Sequence, residues 1–191
     1  MAEQNDACSV AHGETTPAPR QATPQGSPGP TGPGGGPGAD RALVAVFASS
    51  VSGYLLRYAA DAGYQAVLVE PDPDKAAAAK ADGLTLADSV DGFPAGAADV
   101  VVTDHHRPEL GVMLRDALAS DARWVGIMGN PRHEGPHVAA LTELGVPPEE
   151  ISRVHRPIGL NIGSRTPPEI AISTLAGLLA DRNSRPGGFS F

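Results

Sequence analysis

Four short apolar runs constrain most strongly what this chain can fold into. ALVAVF (residues 42–47), QAVLVE (65–70), ADVVVTD (98–104) and RWVGIMG (123–129) are rich in valine and lack a regular apolar–polar alternation. A strand with one face in water alternates, whereas a strand covered on both faces does not. Each run therefore predicts a strand inside a parallel sheet, and parallel neighbours need crossovers long enough to hold a helix. The intervening segments supply them. Val51, Tyr54, Leu55, Tyr58 and Ala62 recur at helical spacing and stop at Gly63, a residue suited to a helix C-terminus. Lys75 to Asp82 reads as an alanine-rich helix, Leu84 to Leu86 as a brief strand, and further helices pass through Leu114 and Leu118 and from near Pro136 to near Gly145. The last helix carries the clearest start signal. Thr166 and Glu169 have capping-box spacing, Pro167 and Pro168 fill the first turn, and Ile172, Leu175 and Leu179 are predicted to line one face. Strand and helix alternate throughout, so the expected fold class is α/β, a doubly wound, mostly parallel, Rossmann-like sheet.

Composition sets the limits of that domain. Residues 1–40 hold seven prolines and eight glycines but almost no large apolar side chains, too little buried surface to offset the entropy of ordering them. They read as a disordered tail, residues 41–183 as one domain, and residues 184–191 as a flexible C-terminus. A formal net charge of −8 without any basic run argues against a nucleic-acid surface, because phosphate binding rests on clustered Lys and Arg. The one cysteine, Cys8, excludes an internal disulfide framework and a thiolate metal site. No apolar segment is long enough to span a membrane, no standard secretion signal is present, and the cytoplasm is the expected location.

The turn after the first strand is where a dinucleotide site would be built. In that fingerprint one glycine permits the tight turn, a second lets backbone approach the pyrophosphate, and a third lets the helix pack on the strand. Ala48, Ser50 and Gly53 occupy the three places, so only the packing glycine survives. The Ser50 side chain falls where the phosphate would sit, although its hydroxyl and the N–H groups of the helix start suit a small anion. Glu70, 22 residues after Ala48, stands where an acidic group would accept from a ribose. Two readings remain open: an altered nucleotide or pterin-phosphate pocket, or a βαβ unit that keeps only its architecture, with Glu70 a solvated strand end.

HEGPH, residues 133–137, matches the letters of a zinc-peptidase motif, but that chemistry needs both imidazoles on one turn of an unbroken helix. Pro136 cannot donate to a helical ladder and reads as a helix start, leaving His133 in a loop and both histidines facing solvent. Asp104, His105 and His106 follow a strand at the edge where open α/β sheets gather ligands. His105 is a candidate ligand or proton-relay group, and Asp104 a candidate cap for the next helix.

RWVGIMGN with Arg132, followed by ISRVHRPIGLNIGSRTPPEIAISTLAGLLA (residues 151–180), resembles the Rossmann module of the XdhC/CoxI family, the xanthine dehydrogenase accessory factors. Less exact similarity runs back through DHHRPEL, where Asp104 and His105 fall on a Thr-His pair of the family, so the resemblance covers roughly residues 42–183. It implies a non-catalytic chaperone that binds the molybdenum cofactor (molybdopterin), protects it during sulfuration and delivers it to a molybdenum hydroxylase such as xanthine dehydrogenase. It points to Gly126, Gly129 and Arg132 after one strand, and to Gly159, Gly163, Arg165 and Thr166 before the last helix, as cofactor-binding candidates. The same segment is also consistent with a rigid turn whose glycines satisfy backbone angles while Arg165 ties it to the sheet. The family's usual Cys-Gly-Gly module has no counterpart here and its Gly-Ala-Gly loop is Ala-Ser-Ser, which makes a separately encoded N-terminal module an expected partner, with a homodimer as a further option. Two alternatives stand beside it. A small NAD(P)-dependent oxidoreductase is suggested by the βαβ unit and Glu70, yet the only lysines, Lys75 and Lys80, form no Tyr-x-x-x-Lys pair. The other is an interaction module that binds no ligand.

Overall fold

The computed structural model describes residues 41–129 and 135–188; the expected tail over residues 1–40, together with Arg132, His133 and Glu134, lies outside the described residues. Five strands form one parallel sheet: β1 (Ala42–Val46), β2 (Gln65–Val69), β3 (Ala98–Val102), β4 (Trp124–Ile127) and β5 (Val154–His155), in the order β2-β1-β3-β4-β5. The helices are α1 (Ser50–Asp61), α2 (Pro73–Ala81), α3 (Leu110–Ala119), α4 (Pro136–Glu143), α5 (Pro148–Ile151) and α6 (Pro167–Arg182). The expected brief strand at Leu84–Leu86 reduces to one parallel bridge, Leu68 with Leu86, on the free edge of β2. Counted as a strand, that bridge completes the six-strand dinucleotide-fold order 3-2-1-4-5-6.

The absence of alternation in the strand sequences follows from two cores. Leu43, Ala45, Leu68, Val101 and Trp124 face one side, under Leu55, Leu56 and Ala59 of α1 and Ala171, Leu175 and Leu178 of α6. Val44, Val46, Val67, Val69, Val100 and Val102 face the other, under Leu110 and Leu114 of α3 and Leu141 of α4. Each fully buried Leu or Val contributes about 1.5–3 kcal/mol, so this two-sided burial is the main term holding the layers together. At the amino rim, buried Asp99 accepts from Arg123 Nε at 2.7 Å and Arg182 Nη2 at 2.9 Å, tying β3 to the start of β4 and the end of α6.

Several local expectations need correction. The two-residue strand β5 and the single-turn helix α5 were not evident from the sequence, because each is too short to show a period. Ile172 is 50% exposed. The α6 face that meets the sheet is set by Ala171, Thr174, Leu175 and Leu178 instead. Pro136 does open α4, but His137 is buried at 7% exposure rather than facing solvent, since α4 packs that turn inward. Asp104 caps no helix: its Oδ1 accepts from the His106 N–H at 2.9 Å, and α3 begins after Glu109.

Candidate functional site

The turn from β1 to α1 is closed by the chain's own polar groups. Phe47 takes a left-handed backbone angle, φ 73°, a conformation that costs a bulky residue about 1–3 kcal/mol. Its surroundings hold it there. The Phe47 N–H donates to the Val69 carbonyl at 2.9 Å, its carbonyl accepts from Thr103 Oγ1 at 2.8 Å, and the Arg107 guanidinium lies over its ring at 4.8 Å. Ser49 then caps α1, and Ser52 returns the bond through its hydroxyl, so the pair forms the capping box.

Glu70 completes this closure and is neither a free ribose acceptor nor a solvated strand end. Its side chain is 0% exposed, Oε2 accepts from the Ala48 N–H at 2.6 Å, Oε1 from the Asp72 N–H at 2.9 Å, and Arg107 pairs with it at 3.1 Å. A ribose hydroxyl would have to displace one of these donors, each a charge-assisted bond in a buried setting. Nor does Gly53 pack against the sheet; a Cβ there would meet only Arg57 Nη2, at an ordinary 3.5 Å. Ser50 is exposed and, with Gly53, Arg57 and Lys75, lines a cavity of about 340 Å³ between α1 and α2.

A larger cavity, about 650 Å³, opens on the other side of α1, over the carboxyl ends of β3 and β4. This is the edge at which open α/β sheets hold ligands. Thr103 and His105 come from the end of β3, Met128 and Gly129 from the end of β4, Val51 from α1, and Ile170, Ser173 and Thr174 from α6. The segment Pro157 to Ser164 forms the remaining wall. Its backbone is seated against α6 at a glycine pair: Gly159 has φ 86°, a Cβ on it would come 2.6 Å from Ser173 Oγ, and a Cβ on Gly177 would come 3.0 Å from Gly159 Cα. The Leu160 carbonyl accepts from Ser173 Oγ at 2.7 Å. Gly163, φ 70°, has open space around its missing Cβ, and its glycine is required by the backbone angle of the turn.

His105, Gly129, Gly159 and Gly163 are thus brought together from the sequence-derived candidates, whereas others are placed elsewhere. Gly126 lies inside β4, where a Cβ would sit 2.2 Å from the Trp124 ring, so its role is to admit that indole. Arg165 and Thr166 are exposed at the amino end of α6 and do not line the cavity; Arg132 falls outside the described residues. Glu169 Oε2 accepts from both the Arg165 and the Thr166 N–H, at 2.8 and 3.0 Å, and the next two residues are prolines without donors. A carboxylate of the chain itself therefore already sits on that helix end.

Burial, with the neighbouring His106 and Arg156 adding to it, lowers the His105 pKa against the opposing pulls of Asp104 and of a hydrogen bond to the Met128 backbone, and the net lowering favours the neutral imidazole. Burial and Arg156 lower His137 in the same way, and its Nδ1 has no hydrogen-bond partner among the described residues. Thr103, Asn161, Ser164 and Arg107 were not among the candidates read from the sequence. A hydroxyl residue closing a strand was the available hint for Thr103. Nothing local announced Arg107, whose partner Glu70 is 37 residues away.

Against known proteins, residues 43–178 match the model of the XdhC Rossmann domain. An 89-residue stretch is 37% identical to the uncharacterized protein YqeB of Escherichia coli (strain K12), covering 47% of this chain and 16% of that protein. The fold is similar to a structure described as a xanthine dehydrogenase from Bacillus halodurans, with TM-score 0.60 and 21% identity over 76% of this chain and 45% of that one. The chain therefore spans less than half the length of either relative. With the match running from β1 into α6, through both layers and the cavity wall, the chain belongs to the XdhC Rossmann domain family.

Proposed function

We propose that this protein is an accessory factor for a molybdenum hydroxylase of the xanthine dehydrogenase kind, and that its carboxyl-rim cavity receives the pterin cofactor. The observation that carries this reading is the cavity. About 650 Å³ lies within the range of cofactor pockets, and the wall combines apolar surface from Met128, Ile158 and Ile170 with polar points at His105, Asn161 and Ser164. In a chain of net charge −8, none of the described residues lining it is Asp or Glu. That lining suits a flat heterocycle with hydrogen-bonding edges and an anionic substituent. The Asn161 and Ser164 side chains would meet the ring edge, neutral His105, whose N–H faces the Met128 backbone, would offer its other nitrogen as an acceptor, and main chain at Gly129 and Gly163 would approach closely. When bound, the cofactor supplies molybdenum redox chemistry to the client enzyme; the residues here hold it, shield it from water and release it. The client hydroxylase and a separately encoded module of the kind found in longer family members are the partners in this reading.

The test is co-expression of the full chain with a xanthine dehydrogenase-type hydroxylase in molybdenum-replete cells, followed by assay of pterin fluorescence on the purified chain and of hydroxylase activity. Wild type should carry pterin and raise the activity, and Ser164→Trp, which fills the cavity, should lose both effects. A wild-type chain that carries no pterin and leaves the hydroxylase unchanged overturns the proposal.

A further inference from the structure

We propose that the cavity between α1 and α2 is a binding site for a small sugar phosphate, with the phosphate held between Arg57 and Lys75 and the sugar resting on Gly53, Ala78 and Ala79. This site is separate from the carboxyl-rim cavity and does not depend on the cofactor reading above. The two helices frame it with matching faces. Ser50, Gly53 and Arg57 recur at three- and four-residue spacing along α1, as do Lys75, Ala79 and Asp82 along α2 and its cap, so each set shares one side of its helix. Residues without bulk at the centre of both faces leave a space of about 340 Å³, at the small end of the range for small-molecule sites.

Charge selects the ligand. In a chain of net charge −8, two cations and a single carboxylate line this space. Arg107, Arg115, Arg123, Arg153 and Arg182 each pair with a carboxylate. Arg57 does not, although Asp61 stands four residues on, at ion-pair spacing. Its guanidinium turns instead toward the amino end of α1, 5.1 Å from the centre of the Tyr54 ring and with Nη2 3.5 Å from where a Cβ on Gly53 would stand. Lys75, on the facing helix, acts through space on Asp72 and Glu109 but pairs with neither; Asp72 caps α2, and Glu109 pairs with Arg107. Among the described residues both cations therefore lack a carboxylate partner, and both reach solvent, as capture of a ligand requires. A phosphate has enough anionic oxygens to take a guanidinium fork and an ammonium together. Asp82 and the Ser50 hydroxyl complete the lining with hydrogen-bonding groups suited to sugar hydroxyls.

The probe is ribose 5-phosphate, titrated into the full chain in a calorimeter at constant ionic strength, with ribose and inorganic phosphate as its two halves. The ester should bind saturably and more tightly than inorganic phosphate, and ribose should not bind. Arg57→Gln should weaken binding about tenfold to a hundredfold, the range for a lost charged hydrogen bond, and Lys75→Gln should act in the same direction. Arg165→Gln removes an exposed arginine that lines neither cavity and should leave the affinity unchanged. Gly53→Leu separates binding from folding. It fills the space from α1 while replacing a poor helix former with a good one, so binding should be lost with a urea midpoint equal to or above that of wild type. Absence of saturable ester binding overturns the site, as does an affinity that Arg57→Gln or Gly53→Leu leaves unchanged or that Arg165→Gln lowers as much as Arg57→Gln. Inorganic phosphate binding as tightly as the ester removes the sugar from the proposal. Ser164→Trp, which fills the carboxyl-rim cavity, should leave ester binding intact; if it abolishes binding while Gly53→Leu does not, the phosphate belongs to that other cavity and the proposal falls.

Discussion

At the β1–α1 turn, Glu70, Thr103, Ser49 and Ser52 satisfy one another and the backbone around them. On the opposite flank of α1, the loop from Pro157 to Ser164 stands away from β3 and β4 and leaves a cavity of about 650 Å³. Both regions lie at the carboxyl ends of parallel strands, and both are entered by a tight backbone turn. They differ in what fills the space behind the turn. Buried carboxylate and guanidinium fill the first, so a ligand there would compete with bonds the fold already makes. Glycines at 129 and 159 shape the wall of the second: the first makes room for Arg156, and the second lets the Pro157–Ser164 loop seat on α6 at Ser173. The lesson is that a dinucleotide architecture can survive with its usual turn filled while an open cavity lies across one helix.

The strongest way to break this contrast is Glu70→Ala. It removes the acceptor of the Ala48 and Asp72 N–H groups and leaves Arg107, 9% exposed, without its buried partner. Arg107 keeps only the partly exposed Glu109 as a counter-charge, so the loss should come to about 3 kcal/mol, the low end for breaking a buried pair, which urea unfolding should register as a lower midpoint at constant slope. Gly159→Ala attacks the other region. It combines a strained φ with a 2.6 Å approach to Ser173 Oγ, and should cost about 1–3 kcal/mol while moving the cavity wall. Thr103→Val removes the hydroxyl that donates to the Phe47 carbonyl and accepts from Ser49 Oγ, and should lower stability by about 1 kcal/mol in the same assay.

A pH scan tests two imidazoles, His105 at the open cavity and buried His137 in α4. His105 and His137 both have depressed pKa values in the fold, through burial first, so the unfolded chain binds protons before the folded one as pH falls. Stability should be level above pH 6.5 and decline below it, and His137→Phe should flatten part of that decline. An unchanged slope in His137→Phe would remove His137 from this account. The smallest effect is reserved for Arg165→Ala. That exposed side chain lines neither cavity, and the change should alter stability by less than about 0.5 kcal/mol in the urea assay.

Four of the five strands, the start of α6 at its capping box and the opening of α4 at Pro136 were legible because each is written in adjacent residues. β5 was not, since two residues flanked by a polar turn carry no period. At the site, His105, Gly129, Gly159 and Gly163 were legible as motif residues, but motif letters alone do not separate a glycine that lines a cavity from Gly126, which accommodates Trp124.

By itself the sequence determined an α/β chain with a parallel sheet and two covered faces. Periodicity, capping and turn residues act over a few positions, and local order suffices to encode them. Only the tertiary structure decided that Glu70 is spent on Ala48 and Arg107, that His137 is inside, and that Arg156 stands behind Gly129. Those outcomes depend on burial and charge between groups far apart along the chain, and such energies exist only once the layers have closed.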